Sequence, residues 1–402
     1  MKKVSENTRP LKRHLILMQV LKYLVGWIFV ILFNFKYKRY KLPETPAIVL
    51  ANHNSDYDPI FAGMVFSNHL YFVTSEHLIG QSWLGKLVGY IFGPIVRVKG
   101  TTESRAAKEI LTTLRKGLNV CLFAEGNRSF TGETGPISIS TGKLVKRSGA
   151  ALVTYKLKGG YFSTPRWAKG IRRGLVKGEV VNFYSKAQVA EMSDKEIYDI
   201  IVKDLYVNAY DDQKEKKVRY KSNKKNYAVG IEIALYTCPQ CEKIGTIKSE
   251  DNKFFCECGL DMQYSEDGLI IDTSHNDSRF NSIVDWDRWQ VEKLKEKLLE
   301  SDDNEEEIFH DTNQTLYIFE AQGRRTMLIS GDLSFYRDRL EFHDDERAII
   351  FYFNALDDIE ITGRMTITFV TKDRVLHEVR SSVLRSPTKY RDSFRILKNR
   401  NT

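Results

Sequence analysis

A histidine and an aspartate with the spacing of a proton-transfer pair stand in the segment Ala51–Pro59, which reads Ala-Asn-His-Asn-Ser-Asp-Tyr-Asp-Pro. Because four residues separate His53 from Asp58, a helical turn that begins after His53 can fold the carboxylate back onto the imidazole ring. A carboxylate bonded to one ring nitrogen fixes the tautomer and leaves the other nitrogen to accept a proton. The alternative is a capping pair at a strand-to-helix turn. The spacing alone leaves both interpretations open.

A second polar segment, Phe123–Ser129, reads Phe-Ala-Glu-Gly-Asn-Arg-Ser. Gly126 lets a backbone approach a ligand, Arg128 offers a planar fork for phosphate, and Glu125 can accept hydrogen bonds from hydroxyls. An ordinary polar turn is the alternative. A third element is Arg97, a single arginine in an otherwise apolar strand, where burial without an anionic partner would be costly.

These segments lie in a region that alternates short β-rich runs with helical runs. Five runs bounded by Gly, Pro and polar residues are predicted strands: Ala47–Ala51, Leu70–Thr74, Ile95–Val98, Leu118–Phe123 and Ala151–Leu157. Apolar residues repeat at helical spacing from Ala107 to Leu118, and Gly117 is a plausible helix stop. The pattern predicts an α/β domain with a mostly parallel sheet, whose ligands lie beyond the carboxyl ends of the strands.

Taken together and in this order, the three segments resemble the motifs of the glycerolipid acyltransferase family, whose type member is 1-acylglycerol-3-phosphate acyltransferase. The family's N-H-x4-D motif is matched by Asn52, His53 and Asp58, and its glycine-to-arginine motif by Gly93 to Arg97. Its F-P-E-G-T-R-S motif is matched by Phe123–Ser129. The resemblance covers roughly residues 10–190.

The resemblance implies direct acyl transfer from a thioester donor, either acyl-CoA or acyl carrier protein, to a free hydroxyl of lysophosphatidic acid or a related lysophospholipid. His53, oriented by Asp58, would be the catalytic base. The substrate-binding residues would be Arg97 and those of the third motif, with the two arginines on the phosphate and Glu125 and Gly126 at the glycerol backbone: Arg97, Glu125, Gly126, Asn127, Arg128 and Ser129. No metal would be needed for this step.

Two departures from the family pattern concern the acceptor pocket. Ala124 and Asn127 stand where the family has proline and threonine. The fourth family motif, an apolar strand that ends in proline, is present as Ala151–Leu157 without the proline. We therefore expect an acceptor pocket that differs from that of the type member, with the chemistry retained.

A cluster of cysteines provides a second strong signal. Cys238 and Cys241 enclose a Pro-containing turn, and Cys256 and Cys258 precede a glycine. The two pairs fit the knuckles of a structural four-cysteine zinc ribbon, although the second pair has one intervening residue instead of two. Two disulfides and unliganded thiols are the alternatives. Cys121, within a predicted strand, is interpreted as a buried apolar residue.

The most hydrophobic stretch, Leu15–Phe35, lies between basic flanks. Its uninterrupted part, Tyr23–Phe33, is too short to cross a bilayer, and Lys22 would be costly near the centre of a membrane span. We expect an interfacial anchor on the cytoplasmic face of the cell membrane, peripheral or monotopic; a single span and a buried core helix are the alternatives. A cleaved signal peptide is disfavoured, since no small-residue cleavage site follows.

Composition shifts divide the chain further. The predicted parts are a membrane anchor (1–42), the acyltransferase domain (43–192), a helical charged linker (193–230), the zinc ribbon (231–270), a helix with an acidic linker (271–307) and a β-rich domain (308–400). The last has short predicted strands and a closing helix, Pro387–Leu397, and is similar in pattern to pleckstrin-homology or GRAM-like domains. An interaction or regulatory β-domain is an equal alternative.

The 402 residues, 42% of them hydrophobic, are enough for two or three cores and exclude a disordered or disulfide-stapled miniprotein. The net charge of +9 comes from a basic part before Asp211, followed by an acidic remainder. A basic half predicts an anionic partner, and with the motifs above we expect a phospholipid bilayer and a phosphorylated acceptor. A nucleic-acid-binding or regulatory zinc-ribbon protein with a silent acyltransferase domain is the weaker alternative, because no aromatic-interleaved basic stripe accompanies the ribbon.

Overall fold

The computed structural model describes residues 12–75, 93–97, 103–273, 279–300, 303–319 and 325–400. The chain divides into two compact units. The first comprises Met1–Pro165 and Ile171–Lys221, and the second comprises Arg166–Gly170 and Ser222–Thr402.

The first unit is built on a seven-stranded sheet of order β1-β7-β6-β2-β5-β3-β4. Its strands are β1 (Lys36–Tyr37), β2 (Ala47–Ala51), β3 (Leu70–Ser75), β4 (Ile95–Arg97), β5 (Asn119–Phe123), β6 (Ala151–Lys158) and β7 (Lys177–Tyr184). All neighbouring strands are parallel except β6 and β7, which are antiparallel. The mostly parallel α/β sheet predicted from the sequence is therefore confirmed.

Helices cover both faces of this sheet. They are α1 (Lys12–Leu24), α2 (Gly26–Phe33), α3 (Asp58–Val65), α4 (Glu103–Arg115), α5 (Ser140–Ser148), α6 (Gly160–Ser163), α7 (Lys186–Glu191), α8 (Asp194–Leu205) and α9 (Ala209–Lys216). Central strand β2 is buried along its whole length, with Val49 on one core face and Ile48 and Leu50 on the other. Such a strand is a rigid base for the loop that follows its carboxyl end.

Helices α1 and α2 are bent by 44° against each other. Among the described residues no single helix is long and apolar enough to cross a membrane, although this bent pair is, by length and composition alone. Large apolar side chains of the pair are exposed: Leu15, Ile16, Val20, Tyr23, Leu24, Trp27, Ile28, Ile31 and Leu32. Lys22, the charged residue within the apolar stretch, donates a hydrogen bond to the Phe66 carbonyl at 2.7 Å.

The second unit begins with a small antiparallel sheet of order β11-β10-β9-β8. Its strands are β8 (Lys248–Glu250), β9 (Lys253–Phe255), β10 (Asp261–Tyr264) and β11 (Ile270–Asp272). Helix α10 (Ile283–Leu299) follows, with the Ser282 side chain accepting from the Asp285 N–H as its N-cap. Buried Trp286 of this helix donates to the Thr237 carbonyl at 3.0 Å.

The rest of the second unit is an antiparallel seven-stranded sheet of order β15-β14-β13-β12-β18-β17-β16. The strands are β12 (Phe309–Phe319), β13 (Arg325–Phe335), β14 (Arg339–His343), β15 (Ala348–Tyr352), β16 (Leu356–Thr362), β17 (Thr366–Thr371) and β18 (Leu376–Ser381). Helix α11 (Thr388–Arg400) follows them and contributes Tyr390, Phe394 and Leu397 to the core. The predicted β-rich C-terminal region is confirmed, whereas its likeness to pleckstrin-homology domains stays a prediction.

One detail of this sheet differs from the sequence pattern. The sequence predicts two separate strands, Thr326–Ile329 and Leu333–Phe335, on either side of Ser330-Gly331-Asp332, where the structure has the single strand β13. A Cβ at Gly331 would lie 2.1 Å from the His343 carbonyl oxygen. Close packing of β13 against β14 therefore requires glycine at this position. A glycine needed for a turn and a glycine needed for close strand packing look the same in a sequence.

The short segment Arg166–Gly170 belongs to the second unit, although the residues on either side belong to the first. Arg166 donates to the carbonyls of Gly363 (2.8 Å) and Ile361 (3.1 Å). The Trp167 ring is fully buried and meets Tyr264 edge-to-face at 5.3 Å between centroids.

Candidate active site

The loop between β2 and α3 is fixed to β6 by an asparagine side chain that pairs with backbone groups of that strand. Asn52 directly follows β2, donates to the Leu157 carbonyl at 2.9 Å and accepts from the Leu157 N–H at 2.7 Å. Asn54 also donates to the Leu157 carbonyl, at 3.2 Å. The start of the loop is thereby held at the carboxyl edge of the sheet, where α/β proteins bind ligands.

His53 and Asp58 meet directly. The His53 Nδ1 lies 2.9 Å from the Asp58 Oδ2, and Asp58 is fully buried in the first turn of α3. The same oxygen accepts the backbone N–H groups of Asn54 (2.7 Å) and Ser55 (2.9 Å). Because these two donors already favour the carboxylate, Nδ1 carries the proton that it shares with Asp58.

The remaining nitrogen of the imidazole is the chemically available one. The His53 side chain is 19% exposed, and within the described ranges Nε2 has no hydrogen-bond partner. The ring stacks on Phe123, the last residue of β5, with 4.4 Å between centroids. An imidazole with a fixed tautomer, a supported ring and a free Nε2 can take a proton from a hydroxyl.

Glu125 binds the protein's own backbone. Its Oε1 accepts the His53 N–H at 2.6 Å and its Oε2 accepts the Gly135 N–H at 2.7 Å. Burial raises the pKa of Glu125 to about 8, while the two N–H donors act in the opposite direction. Both carboxylate oxygens are thus occupied in holding the His53 loop, and a contact of Glu125 with substrate stays a prediction.

Ser129 also holds the backbone of His53. Its N–H donates to the His53 carbonyl at 3.0 Å. Its hydroxyl donates to the Glu133 carbonyl at 2.6 Å and accepts from the Gly132 N–H at 2.9 Å. The third motif therefore binds His53 through both of its backbone polar groups, the N–H by Glu125 and the carbonyl by Ser129.

Arg128 contacts the loop that carries His53. Its Nε is 3.0 Å from Asp56 Oδ1; the arginine side chain is 11% exposed and the aspartate side chain 68% exposed. Burial lowers the pKa of Arg128, against the opposing effect of Asp56 and Asp58. Gly126 and Asn127 are exposed at the tip of the loop, where Gly126 has a φ of 71°. The structure thus brings these residues next to the His53–Asp58 pair.

Arg97 is the last residue of β4, beside β3, and its side chain lies outside the described residues. In the same motif, Gly93 has a φ of 53°, and a Cβ there would lie 2.4 Å from the His14 ring. This glycine therefore allows the His14 ring of α1 to pack closely against the residue that leads into β4.

Sequence reasoning missed Asn54, Asp56 and Gly135, although each contacts a predicted site residue. The only available signal for Asn54 and Asp56 was their position within the N-H-x4-D motif. Gly135 contributes only a backbone N–H, which every non-proline residue has, so no sequence signal marks it.

The four cysteines of the second unit come together. The Sγ atoms of Cys238, Cys241, Cys256 and Cys258 all lie within 4.8 Å of one another. Cys238 and Cys258 are 3.6 Å apart, and Cys241 and Cys256 are 3.8 Å apart. Tetrahedral Zn²⁺ with bonds of about 2.3 Å requires S–S edges of about 3.8 Å, so the four thiols fit a zinc ion.

Residues 33–158 match the model of a protein family described as Acyltransferase. No curated protein matches the sequence. Among solved structures, one match is the crystal structure of the 1-acyl-sn-glycerophosphate (LPA) acyltransferase PlsC from Thermotoga maritima. It is 17% identical, with a TM-score of 0.38, and the match covers 47% of this chain and 77% of that chain. The matched residues 33–158 contain both the His53–Asp58 pair and the Phe123–Ser129 loop.

Proposed function

We propose that this protein is an acyltransferase that moves a fatty acyl group from a thioester to the free hydroxyl of 1-acylglycerol-3-phosphate or a related lysophospholipid, giving a diacyl phospholipid. The observation that carries the proposal is the His53–Asp58 pair, with Nδ1 bonded and Nε2 free, beside a mostly buried arginine. A base and a phosphate-binding group at one edge of a sheet suit an acceptor that has both a hydroxyl and a phosphate.

In the proposed reaction, His53 Nε2 accepts the hydroxyl proton as the acceptor oxygen attacks the thioester carbonyl. The Asp58 carboxylate stabilises the imidazolium that forms. The tetrahedral intermediate then collapses, the carbon–sulfur bond breaks, and the leaving sulfur takes the proton from the imidazolium as a free thiol. The net change is one ester bond formed and one thioester bond broken.

The acceptor's phosphate is assigned to Arg128, with Arg97 as a second cation. The contact between Arg128 and Asp56 supports this assignment, because the carboxylate holds the guanidinium at the site while its own side chain is mostly exposed. Because the Asp56 side chain is 68% exposed, solvent weakens its half of the ion pair, so a dianionic phosphate can displace it. Gly126 and Asn127 would contact the glycerol portion.

The setting we propose is the cytoplasmic face of the cell membrane. The exposed apolar side chains of α1 and α2 support this setting. Phe33 at the end of α2 contacts Tyr57 beside the catalytic pair, with ring centroids 4.9 Å apart. Lipid acceptors would therefore reach His53 from the membrane side without passing through water.

The function is tested with purified full-length protein, a labelled acyl donor and a panel of lysophospholipids, with products identified by mass. Both acyl-CoA and acyl carrier protein serve as donors, since either fits the chemistry. We expect a diacyl product, and His53→Ala should lower the rate by at least about 10²-fold. Near-normal transfer by His53→Ala would refute the mechanism, and the absence of product with every acceptor would refute the proposed reaction.

For the cysteine cluster we propose a structural zinc ion bound by all four thiolates, which leaves no coordination position open for a substrate. Elemental analysis should find about one zinc per chain, and Cys241→Ser should lose it. Cys121→Ala is the matched control, because Cys121 is buried in the first unit and lies outside the cluster. Full metal content in Cys241→Ser would contradict the assignment.

A further inference from the structure

A groove opens along the edge of the first unit's sheet because its edge strand is very short. Strand β1 pairs with β7 only at Lys36–Lys177 and Tyr37–Gly178. Beyond Gly178, β7 continues to Tyr184 and pairs with β6 on its other side. The chain from Lys38 to Tyr40 thus forms one wall of the groove and the second half of β7 forms the other, enclosing about 670 Å³.

The groove carries an excess of positive charge. Glu179 is the acidic residue of its lining, and Lys177 (2.9 Å) and Lys158 (3.9 Å) already lie beside it. Lys36, Lys38 and Arg39 are all exposed. Within the ranges that the structure describes, none of these three has an acidic partner. Three uncompensated cations around one concave surface favour an anionic ligand.

The groove also continues the apolar surface of α2. Exposed Ile31 and Leu32 lie a few residues before Lys36, and Arg173 ties the end of the helix down by donating to the Ile31 carbonyl at 2.9 Å. Tyr37 and Tyr40 line the groove and are half-buried. Exposed apolar side chains are thus followed within a few residues by interleaved tyrosines and cations, the residue types that proteins place at a membrane surface.

We infer that this groove binds the phosphate-bearing headgroup of an anionic phospholipid while the apolar face of α1 and α2 contacts the acyl chains. The occupant is a lipid of the membrane itself, separate from the acceptor at Arg128. Charge complementarity and continuity with the apolar face favour a lipid over a soluble anion. The inference rests on the proposed membrane setting and adds a second lipid site to it.

The first test measures binding of full-length protein to vesicles. The Lys36→Gln, Lys38→Gln, Arg39→Gln triple variant is compared with a control that loses three exposed cations elsewhere in the first unit, Lys108→Gln, Arg115→Gln and Lys203→Gln. On vesicles of phosphatidylglycerol and phosphatidylcholine the groove variant should bind about 100-fold more weakly, at roughly fivefold per charge. The control should bind like the wild type. Equal losses in both variants would overturn the inference.

The second test separates a bound headgroup from diffuse attraction. Dihexanoylphosphatidylglycerol, kept below its micelle concentration, should bind wild-type protein saturably, and the groove variant should not bind it. Dihexanoylphosphatidylcholine and inorganic phosphate should bind at least tenfold more weakly. Non-saturable binding, or inorganic phosphate binding as tightly as the lipid, would overturn the headgroup site. Neither test contains an acyl donor, so its failure is distinguishable from failure of the acyltransferase proposal.

Discussion

Replacement of Glu125 by glutamine tests whether this residue positions His53 or binds the acceptor. Its carboxyl group accepts two backbone N–H groups, those of His53 and Gly135, at 2.6 and 2.7 Å. Glutamine has nearly the same shape as this carboxyl group, whose pKa burial raises to about 8. Glutamine keeps one acceptor oxygen, but its NH₂ group would face the second N–H.

One buried N–H would then lack an acceptor, which costs about 1–3 kcal/mol. We expect Glu125→Gln to lower the free energy of unfolding by this amount. The loosened His53 loop should also lower kcat by roughly tenfold, since each 1.4 kcal/mol of lost transition-state stabilisation is a factor of ten. The KM for the acceptor should change little, because each oxygen of Glu125 already accepts a backbone N–H.

Urea unfolding and steady-state kinetics on the same preparations measure both effects. Glu109→Gln, an exposed change on α4, is the matched control and should leave stability and kcat unchanged. A Glu125→Gln variant with wild-type stability, wild-type kcat and a raised acceptor KM would refute the positioning role. Such a result would instead favour a direct contact with the glycerol backbone.

Three further outcomes are expected. Arg128→Ala should raise the acceptor KM with a smaller effect on kcat, and an unchanged KM in steady-state assays would remove it from the phosphate site. Burial lowers the pKa of His69 to about 4. As the pH falls from about 6.5, His69 is therefore protonated in the unfolded chain while it stays neutral in the folded chain. Stability should therefore decrease over that window by up to about 3 kcal/mol, and urea unfolding of His69→Leu should show a flatter acid limb. Chelation of zinc should unfold the β8–β11 region, and unchanged hydrogen exchange there would contradict a structural ion.

The contact between His53 and Asp58 was predictable because its geometry is local. His53 and Asp58 lie within one strand-to-helix turn, so their spacing already limits where the carboxylate can go. The strand that precedes them was predictable for a similar reason, since Ala47–Ala51 is a short apolar run bounded by turn residues, and the structure has the same bounds.

The hydrogen-bond partners of Glu125 could not be predicted from the sequence. Its type and its motif indicate a polar contact, but they do not distinguish a substrate hydroxyl from a backbone N–H that lies 72 positions away in the chain. The partner of Arg128 was hidden in the same way, because Asp56 reaches it only after β2 and β5 pair side by side. Contacts of this kind depend on strand order, which local patterns do not encode.

The segment Arg166–Gly170 limits where the protein can be truncated. A domain joined to another end to end shares one covalent junction with it, whereas this chain passes between its two units at three places, after Pro165, Gly170 and Lys221. A truncation at Lys221 would leave Trp167 without Tyr264 and Arg166 without the carbonyls of Ile361 and Gly363. The first unit should therefore fold by itself only when these five residues are replaced by a short polar turn.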